Sequence, residues 1–497
     1  MGLSFAIVML ASSIGSASAS AVSRPPGGEI NGGKPVTLRV DLWQFTPTLN
    51  TTKTVENPTV VRSSQIIANN FEKLYPNVKI VWIRGLDTMN QSALQSYYTT
   101  KIAAGDAPDI GFSWGASFTN NGWYEPLQNY LKQQDPFLKN KASWQSEFPS
   151  YLWKASTQQD SAGNTISIPF DLNPGPPTAI YYNKSILSKE HMAPPRNYDQ
   201  FITDIRRLNA AGYIGIRPWT GMNEIYNWMY QFNLGPYYVQ KDVLPVMRIS
   251  PNVAMTQNQT LQAVKEGLFS PVLHAYARDF MQKFKEYFQL APKGWQSTTA
   301  GTFQNEWDQG KIAMQEDGLW SLQGYASDTK RTFPFGLVPS PPITNDRYAS
   351  PVQWTKSGPY QPASQMFFNI IKPSVEKNPG TLQAAVRFLE YFTAPQNLSL
   401  MINETGAGIG AAYGVPIPPV LKGWLLQSFP KTPLNGWAQP FDSQGGTDWV
   451  NYTQGWIDGK ISNAAYYRDY DKLMAASADR TIAQLKINTK GWKIVLK

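Results

Sequence analysis

A tryptophan at the end of a predicted strand is the feature of this sequence that could bind a ligand. The stretch Ile102 to Trp114 reads as a helix that stops at Gly105, a turn fixed by Pro108, and a short buried strand that ends on Trp114. Ligands of open α/β sheets bind at the carboxyl ends of strands. The Trp114 ring is therefore a candidate surface for recognising a ligand.

The composition excludes several kinds of reactive site. The 497-residue chain has no Cys, which excludes thiol catalysis, thiolate metal sites and disulfides. Its two histidines, His191 and His274, are far apart in sequence and lack the spacing of metal ligands. Aromatic residues make up 13% of the chain, with 17 Trp, and charged residues only 16%. Such a chain has many flat apolar faces and few catalytic charges, and we expect no metal and no cofactor.

The charge pattern argues against a nucleic-acid partner. The formal net charge is +9, but Lys and Arg are scattered along the chain and do not form runs interleaved with aromatic residues. A basic surface that faces an anionic cell envelope is the simpler interpretation.

The first residues have the pattern of a secretory signal. An apolar run, Gly2 to Ala11, is too short to span a membrane and is followed by the small residues Ser16 to Ala21. We expect a signal peptide at 1–21 and a Pro/Gly-rich flexible tether at 22–35. The protein is then secreted, to a periplasm or to the outer face of the cytoplasmic membrane, with no lipid-anchor cysteine.

The elements behind Trp114 alternate in type. Strands are predicted at 36–45, 78–83 and 109–114, and helices at 60–75 and 91–104. This β-α-β-α-β order predicts an α/β fold with a mainly parallel, doubly wound sheet. Because the chain is too long for one compact core, we expect two lobes.

Several segments together resemble a known family, the extracellular solute-binding proteins of family 1, which are sugar-binding receptors of ABC transporters similar to the maltodextrin-binding proteins. The matching segments run in family order over nearly the whole mature chain: Phe71 to Ile80, Ile102 to Trp114, Gly122 to Leu131, Ile168 to Asp171, Tyr182 to Lys184, Ala193 to Phe201, Phe303 to Trp320, and Arg387 to Pro395.

The resemblance implies a two-lobed periplasmic-binding-protein fold with hinge strands and a ligand cleft between the lobes. It implies a carbohydrate ligand, a membrane permease as partner, a monomer, and recognition without catalysis. Two proline-rich breaks, at Asn173 to Pro177 and Phe333 to Pro342, are natural crossings between lobes. We therefore expect an N-terminal lobe of 36–170 and 337–394, and a C-terminal lobe of 171–336 and 395–497.

A sugar ring presents an apolar C–H face and a polar rim, so its site needs flat aromatic rings and fixed polar groups. Trp114, Trp219 and Trp320 match positions where maltodextrin-binding relatives place sugar-stacking aromatics, and Trp43 ends the first predicted strand. Trp354 and Trp437 lie in predicted loops that could line the cleft.

Polar partners are expected beside these rings. The candidates are Gln44, Asp171, Arg217 and Asp317. Three of them have a structural alternative: Asp171 and Asp317 can cap turns, and Arg217 can form a surface salt bridge.

Two other functions stay open on the sequence. Asp171 and Asp317 could be the two carboxylates of a secreted carbohydrate-active enzyme, although aromatics outnumber acids in the predicted cleft. A binder of an acidic glycan, polyamine or peptide would need clustered charges, and only Arg217, with Arg84 as a second candidate, stands near the motifs. A neutral oligosaccharide fits best.

Overall fold

The computed structural model describes residues 24–49, 60–84, 91–114, 118, 121–154, 159–160, 162–172, 175–176, 178–218, 222–297, 300–352, 354–355, 366–406, 408–431, 433 and 435–496. The expected signal peptide at 1–21 and the first residues of the tether lie outside the described residues. Within the described ranges, every helix is too short or too polar to cross a membrane.

Thirteen strands are described. They are β1 Val36–Val40, β2 Val78–Trp82, β3 Ile110–Trp114, β4 Ile168–Pro169, β5 Asp171–Leu172, β6 Thr178–Asn183, β7 Arg217–Pro218, β8 Met314–Gly318, β9 Phe335–Pro339, β10 Trp354–Thr355, β11 Met366–Ile370, β12 Ile409–Gly410 and β13 Phe429–Pro430.

The α-helices are α1 Ser63–Leu74, α2 Gln91–Ala103, α3 Gln128–Leu131, α4 Lys184–Lys189, α5 Tyr198–Ala210, α6 Met222–Trp228, α7 Gly235–Tyr238, α8 Leu244–Met247, α9 Gln257–Lys265, α10 Ala275–Gln289, α11 Ala300–Asp308, α12 Leu322–Ser327, α13 Lys372–Val375, α14 Pro379–Thr393, α15 Pro395–Thr405, α16 Pro419–Leu425, α17 Ser443–Ile457 and α18 Asn463–Leu485. Two π-helical turns, Met229–Asn233 and Val239–Val243, flank α7.

The first sheet contains the three strands that the sequence predicts. Its order is β2-β1-β3-β11-β4, with β1 parallel to both β2 and β3 and with β11 antiparallel to its neighbours. The strand β1 ends earlier than predicted, at Val40. Trp43 has a left-handed φ of 50°, and its N–H donates to Asp41 Oδ1 at 3.0 Å, so the chain turns into a short 3₁₀ helix, Trp43–Phe45.

The second sheet has the order β7-β8-β6-β9, and only β6 runs opposite to the others. Alternate residues of β6 bury on opposite faces of this sheet. Ile180 belongs to a core with α5 and α10, whereas Ala179 and Tyr181 belong to a smaller core with α11 and α16. Helices therefore cover both faces, as the doubly wound prediction requires.

Two short antiparallel pairs accompany the crossings between the lobes. The strand β5 pairs with β12, and β10 pairs with β13. Each pair joins segments far apart in sequence, which makes these the hinge strands of the two-lobed fold.

Two segments beside the expected crossings have clear packing partners. Residues 337–349 pack with the second sheet, because β9 pairs with β6 along its whole length and Ala349 lies in the second core. Residues 395–412 pack with the first sheet, because Leu398, Met401 and Ala411 are buried in its core. The prolines after Val338 therefore end a strand of the second sheet, whereas β11 belongs to the first sheet.

Candidate functional site

The carboxyl ends of several strands lie close to one edge in each sheet. In the first sheet β3 and β4 end where β11 begins, since Trp114 lies opposite Met366 and Pro169 opposite Phe367, whereas β1 ends at Val40, opposite Ile110 at the start of β3. In the second sheet β7, β8 and β9 end where β6 begins, and Thr178 lies opposite Gly318. Only five residues of the chain separate Leu172, which ends β5, from Thr178, which begins β6 at the second edge. These two edges are the candidate walls of the cleft between the lobes.

Trp320 lies between the two lobes. It belongs to the 3₁₀ turn Leu319–Ser321 directly after β8, and it is partly buried against both the first and the second core. The ring packs closely over Gly318, where an added Cβ would lie 2.0 Å from Trp320 Cε2. The glycine is therefore required for the position of this ring.

Trp228 supports the Trp320 ring from behind. It is 2% exposed at the end of α6, and its ring meets Trp320 edge-on with 5.5 Å between the centroids. The sequence reasoning missed Trp228, because a tryptophan within a helical pattern is normally a core residue. The π-helical turn that follows it, which no sequence pattern predicts, changes the direction in which the next side chains point.

Trp43 and Gln44 lie just past the end of β1, at the carboxyl edge of the first sheet. The Trp43 ring is half-buried and stacks on Phe112 of β3 with centroids 5.7 Å apart, while Gln44 is exposed. The left-handed backbone of Trp43 is rare for a bulky residue, and such strain concentrates at ligand-binding sites.

Trp114 and Trp219 follow the predicted pattern as far as the backbone is described. Trp114 is the last residue of β3, and its side chain lies outside the described part of the structure. Trp219 follows β7 directly and lies outside the described residues. Both stay predictions of ligand contact.

Arg217 is a structural residue in this arrangement. It is 5% exposed, and its Nε donates to Glu306 Oε2 of α11 at 3.0 Å, in an ion pair that ties β7 to that helix. Arg217 therefore forms a salt bridge, as the structural alternative expects, but the pair is largely buried and does not lie on the surface.

Asp317 and Asp171 are also buried, at 0% and 4% exposure. Asp317 accepts the Tyr325 hydroxyl at 2.7 Å and the N–H of Gly318 at 2.6 Å, so it faces α12 and not the cleft. Asp171 accepts the N–H of Met366 at 3.2 Å and lies in a hinge strand. Of the two, only Asp171 lies at the edge where a ligand would bind.

Trp437 and Trp354, both expected in loops, differ in their exposure to solvent. Trp437 is fully buried, stacks on Phe280 with centroids 4.4 Å apart, and donates from Nε1 to the Tyr470 hydroxyl at 3.1 Å. It is a core residue and does not line the cleft. Trp354 is 49% exposed and lies in β10, a hinge strand, so its ring is available to a ligand.

A buried polar network underlies the second wall of the cleft. Glu316 of β8 accepts hydrogen bonds from the Asn233 amide, from Ser340 Oγ at 3.0 Å and from the Tyr287 hydroxyl at 3.1 Å. Thr178 Oγ1 donates to Asn233 Oδ1 at 2.8 Å. Burial raises the pKa of Glu316 to about 7 against the effect of these donors. The network fixes the starts and ends of three strands at the cleft edge.

Metal chemistry has no ligand set in this region. Among the described residues, no three His, Asp or Glu side chains lie where they could hold one metal ion.

Comparisons with known proteins give one family and one fold. The family model for bacterial extracellular solute-binding proteins matches residues 57–398. A comparison with curated proteins gave no match.

Many solved structures share the fold. One, from a study of xylan utilization by the thermophilic bacterium Caldanaerobius polysaccharolyticus, is 18% identical, with a TM-score of 0.59, and the match covers 89% of this chain and 99% of that one. A chitin oligosaccharide binding protein is 13% identical, with a TM-score of 0.61 and coverage of 90% and 99%. The maltose-bound T. maritima MalE3 is 14% identical, with a TM-score of 0.57 and coverage of 90% and 99%. At these identities the likeness shows the fold.

Proposed function

Because the chain belongs to the bacterial extracellular solute-binding protein family, we propose that it captures a neutral oligosaccharide in its interlobe cleft and delivers it to the permease of an ABC importer. The observation that carries the proposal is the position of Trp320, whose ring packs against both cores beside the crossing between the lobes. A ligand that covers this ring touches both lobes at once. Contacts of that kind exist only in the closed form, so they favour closure.

The aromatic side chains at the two edges fit the apolar face of a sugar. Trp43 follows β1, Trp114 ends β3, Trp320 follows β8 and Trp354 lies in β10. Trp219 lies outside the described residues and follows β7 in the sequence, and we propose it as a further contact. Covering about 60 Å² of an apolar sugar face stabilises a complex by roughly 1.5 kcal/mol. Two or three such rings contribute about 3–4.5 kcal/mol of the roughly 8 kcal/mol of a micromolar complex, and hydrogen bonds to the sugar hydroxyls supply the remainder.

The choice of carbohydrate also rests on the similar structures. Their printed descriptions refer to xylan utilization, chitin oligosaccharide and maltose. Among our polar candidates, Gln44 is exposed at the first edge and uncharged, whereas Arg217 is engaged with Glu306. A neutral ligand is therefore preferred over an acidic one, which would need free Arg or Lys in the cleft.

Capture without catalysis is part of the proposal. The carboxylates that could form a glycosidase pair are Asp171 and Asp317, and Asp317 is fully buried against Tyr325. Hydrolysis of an oligosaccharide that stops in Asp171→Asn and Asp317→Asn variants would contradict this part.

The proposal also includes the boundaries of the two lobes and the place in the cell where the protein acts. We propose a first lobe of 24–172 with 366–412 and a second lobe of 178–349 with 435–496, on the basis of the cores. The chain would act as a monomer, secreted to a periplasm or to the outer face of the cytoplasmic membrane.

A thermal-shift screen of mono- and oligosaccharides tests the ligand class. A ligand at about 100 times its Kd stabilises the folded state by about 2.7 kcal/mol, which raises the melting temperature measurably. We expect a neutral oligosaccharide to raise it, and Trp320→Ala to reduce the shift. Tyr213→Ala, an aromatic on the second lobe outside the proposed cleft set, is the control that keeps it. Shifts by polyamines or peptides alone would overturn the sugar assignment.

Delivery needs its own test. Membrane vesicles that contain the importer, supplied with ATP, should accumulate the same labelled sugar only when the binding protein is added. Accumulation that is independent of the protein would contradict the role in transport.

A further inference from the structure

A second polar groove lies on the outer side of the second lobe, where the chain's last residues fold back onto α9. The groove encloses about 390 Å³, within the range of small-ligand sites. It is lined by Asn258, Gln259, Gln262, Lys486, Asn488 and Trp492, together with two aliphatic side chains. Four amides and one indole thus converge from segments more than 200 residues apart.

Each of three amides in the groove has one end fixed by the protein. Gln262 Nε2 donates to Glu266 Oε1 at 2.8 Å, Gln259 Oε1 accepts the N–H of Thr256 at 2.9 Å, and Asn488 Oδ1 accepts the N–H of Lys490 at 2.9 Å. Because a carboxylate only accepts and a backbone N–H only donates, these partners also decide which end of each amide is oxygen.

The opposite ends of these amides are open. Gln262 Oε1, Gln259 Nε2 and Asn488 Nδ2 make no hydrogen bond to the described residues. The groove therefore offers one oriented acceptor and two oriented donors. A hydroxyl group donates and accepts at once, so a set of this kind suits a ligand that is rich in hydroxyls.

The walls of the groove are held in place. Lys265 of α9 forms an ion pair with Asp479 of α18 at 2.7 Å, and the Lys265 carbonyl accepts the N–H groups of Val495 and Leu496 at 2.8 and 3.0 Å. Glu266 Oε1 also accepts the N–H of Lys493 at 3.0 Å. Trp492, one residue before this bond, packs partly buried on the second core. The indole is therefore fixed before any ligand arrives.

The charge of the groove selects against ions. Among the residues that the structure describes, no carboxylate lines the groove and Lys486 is its one charged lining residue. The nearby Glu266 is occupied by Gln262 and by the main chain of Lys493. A lone lysine does not form the clustered cationic site that an acidic ligand needs.

We propose that this groove is a carbohydrate-binding site separate from the cleft, in which Trp492 stacks on a neutral sugar ring and Gln259, Gln262 and Asn488 bind its hydroxyls. A free oligosaccharide and a chain of a polysaccharide share this chemistry. Occupation of the groove by a polysaccharide would hold the protein near its source of oligosaccharides while the cleft stays free.

Fluorine NMR of the full chain labelled with 5-fluorotryptophan tests the site directly. The Trp492 resonance is identified by its loss in Trp492→Phe. Maltohexaose, xylohexaose and chitohexaose are then added separately. We expect at least one to shift the Trp492 resonance, and the shift to persist in Trp320→Ala, which weakens the cleft alone. The shift should disappear in the double variant Gln262→Leu with Asn488→Leu, which removes the bond from the Lys490 N–H to Asn488 but keeps the main-chain bonds of Lys493, Val495 and Leu496 that hold the tail on α9.

Three results would overturn the proposal: no shift of the Trp492 resonance with any of these sugars, a shift that vanishes in Trp320→Ala, or a shift that survives in the double variant. The second would mean that the resonance reports on the cleft, and the third that the sugar touches the ring without the amides.

Native gels that contain xylan, amylopectin or glycol chitin show whether the groove binds a polysaccharide chain or only free oligosaccharides. Retardation that is lost in Trp492→Ala and kept in Trp492→Phe assigns the groove to the polymer. Resonance shifts without such retardation assign it to free oligosaccharides. A failed cleft screen with a positive result here would overturn the cleft function and leave this site standing.

Discussion

The ring of Trp228 meets the ring of Trp320 edge-on, with 5.5 Å between the centroids and 76° between the planes. One ring is buried, and the other lies at the junction of the two lobes. Edge-to-face pairs of this kind contribute about 0.5–1.5 kcal/mol beyond the area they bury. The pair therefore fixes the surface on which a ligand would stack.

We expect Trp320→Ala to weaken ligand binding by about 1–3 kcal/mol, the range for stacking on a flat ring. Trp228→Leu should weaken binding less than Trp320→Ala does. Because Trp228 acts by supporting the Trp320 ring, Trp228→Leu should have no further effect in a chain that already carries Trp320→Ala. Isothermal titration of the single and double variants measures this coupling. If Trp228→Leu weakened binding equally in the native chain and in Trp320→Ala, Trp228 would act independently of the Trp320 ring.

Gly318→Ala should move the same ring without removing it. The backbone of Gly318, at φ −73° and ψ 153°, suits any residue, but the new Cβ would lie 2.0 Å from the Trp320 ring. We expect weaker ligand binding and a near-normal secondary structure, measured by titration and circular dichroism. Gly324→Ala is the matched control, since its Cβ would meet no atom within 4 Å. Unchanged affinity in Gly318→Ala would argue that the ring position does not matter.

Because the backbone of Trp43 is left-handed, we expect a glycine variant at this position to be more stable than an alanine variant. Glycine adopts a φ of 50° without a steric cost, whereas alanine pays about 1 kcal/mol. Trp43→Gly should therefore unfold at a higher urea concentration than Trp43→Ala, although both lose the stacking on Phe112. Both should bind the ligand more weakly than the native chain. A more stable Ala variant would show that the residue relaxes to another conformation.

Two buried acids of the first lobe, Glu390 and Glu147, should make stability depend on pH. Burial raises the pKa of Glu390 to about 8 despite the neighbouring Arg387, and burial beside Asp135 raises the pKa of Glu147 to about 10. Between an unfolded pKa near 4.3 and these values, the folded state binds more protons than the unfolded state. The free energy of unfolding therefore falls as the pH rises, at about 1.4 kcal/mol per pH unit for each group, and Glu390 stops contributing above about pH 8.

Urea unfolding between pH 5 and 9 measures this slope, which Glu390→Gln should reduce. Exposed Glu376→Gln is the control that should keep the native slope. The same slope in both variants would contradict the assignment to Glu390.

The parts of the fold that local pattern determines were predictable. The strands that end at Val40 and Trp114 and helix α1 follow from hydrophobic period and turn residues, and the structure confirms them. The end of β1 was not predictable, because it depends on one hydrogen bond that Trp43 N–H donates to Asp41 and on the left-handed backbone of Trp43. Likewise α15 packs in the first lobe through tertiary contacts that no local pattern encodes.

The candidate site was predictable to a similar extent. Tryptophans after strands are visible in sequence, so Trp114, Trp219 and Trp320 could be placed at sheet edges. Burial of a polar residue depends on its partner, so sequence could not show that Arg217 faces Glu306 or that Asp317 faces Tyr325. Trp437 lies in an irregular segment, and only the packing of Phe280 against it identifies it as core.

The position of β11 in the first sheet has a consequence for biosynthesis. This strand lies between β3 and β4 but is made almost 200 residues after β4, whereas the second sheet is complete once β9 has been made. A nascent chain could therefore assemble its second sheet while β3 and β4 still have unpaired edges, which invite pairing with other chains. Holding the chain extended until translation ends, as export before folding does, would remove that hazard.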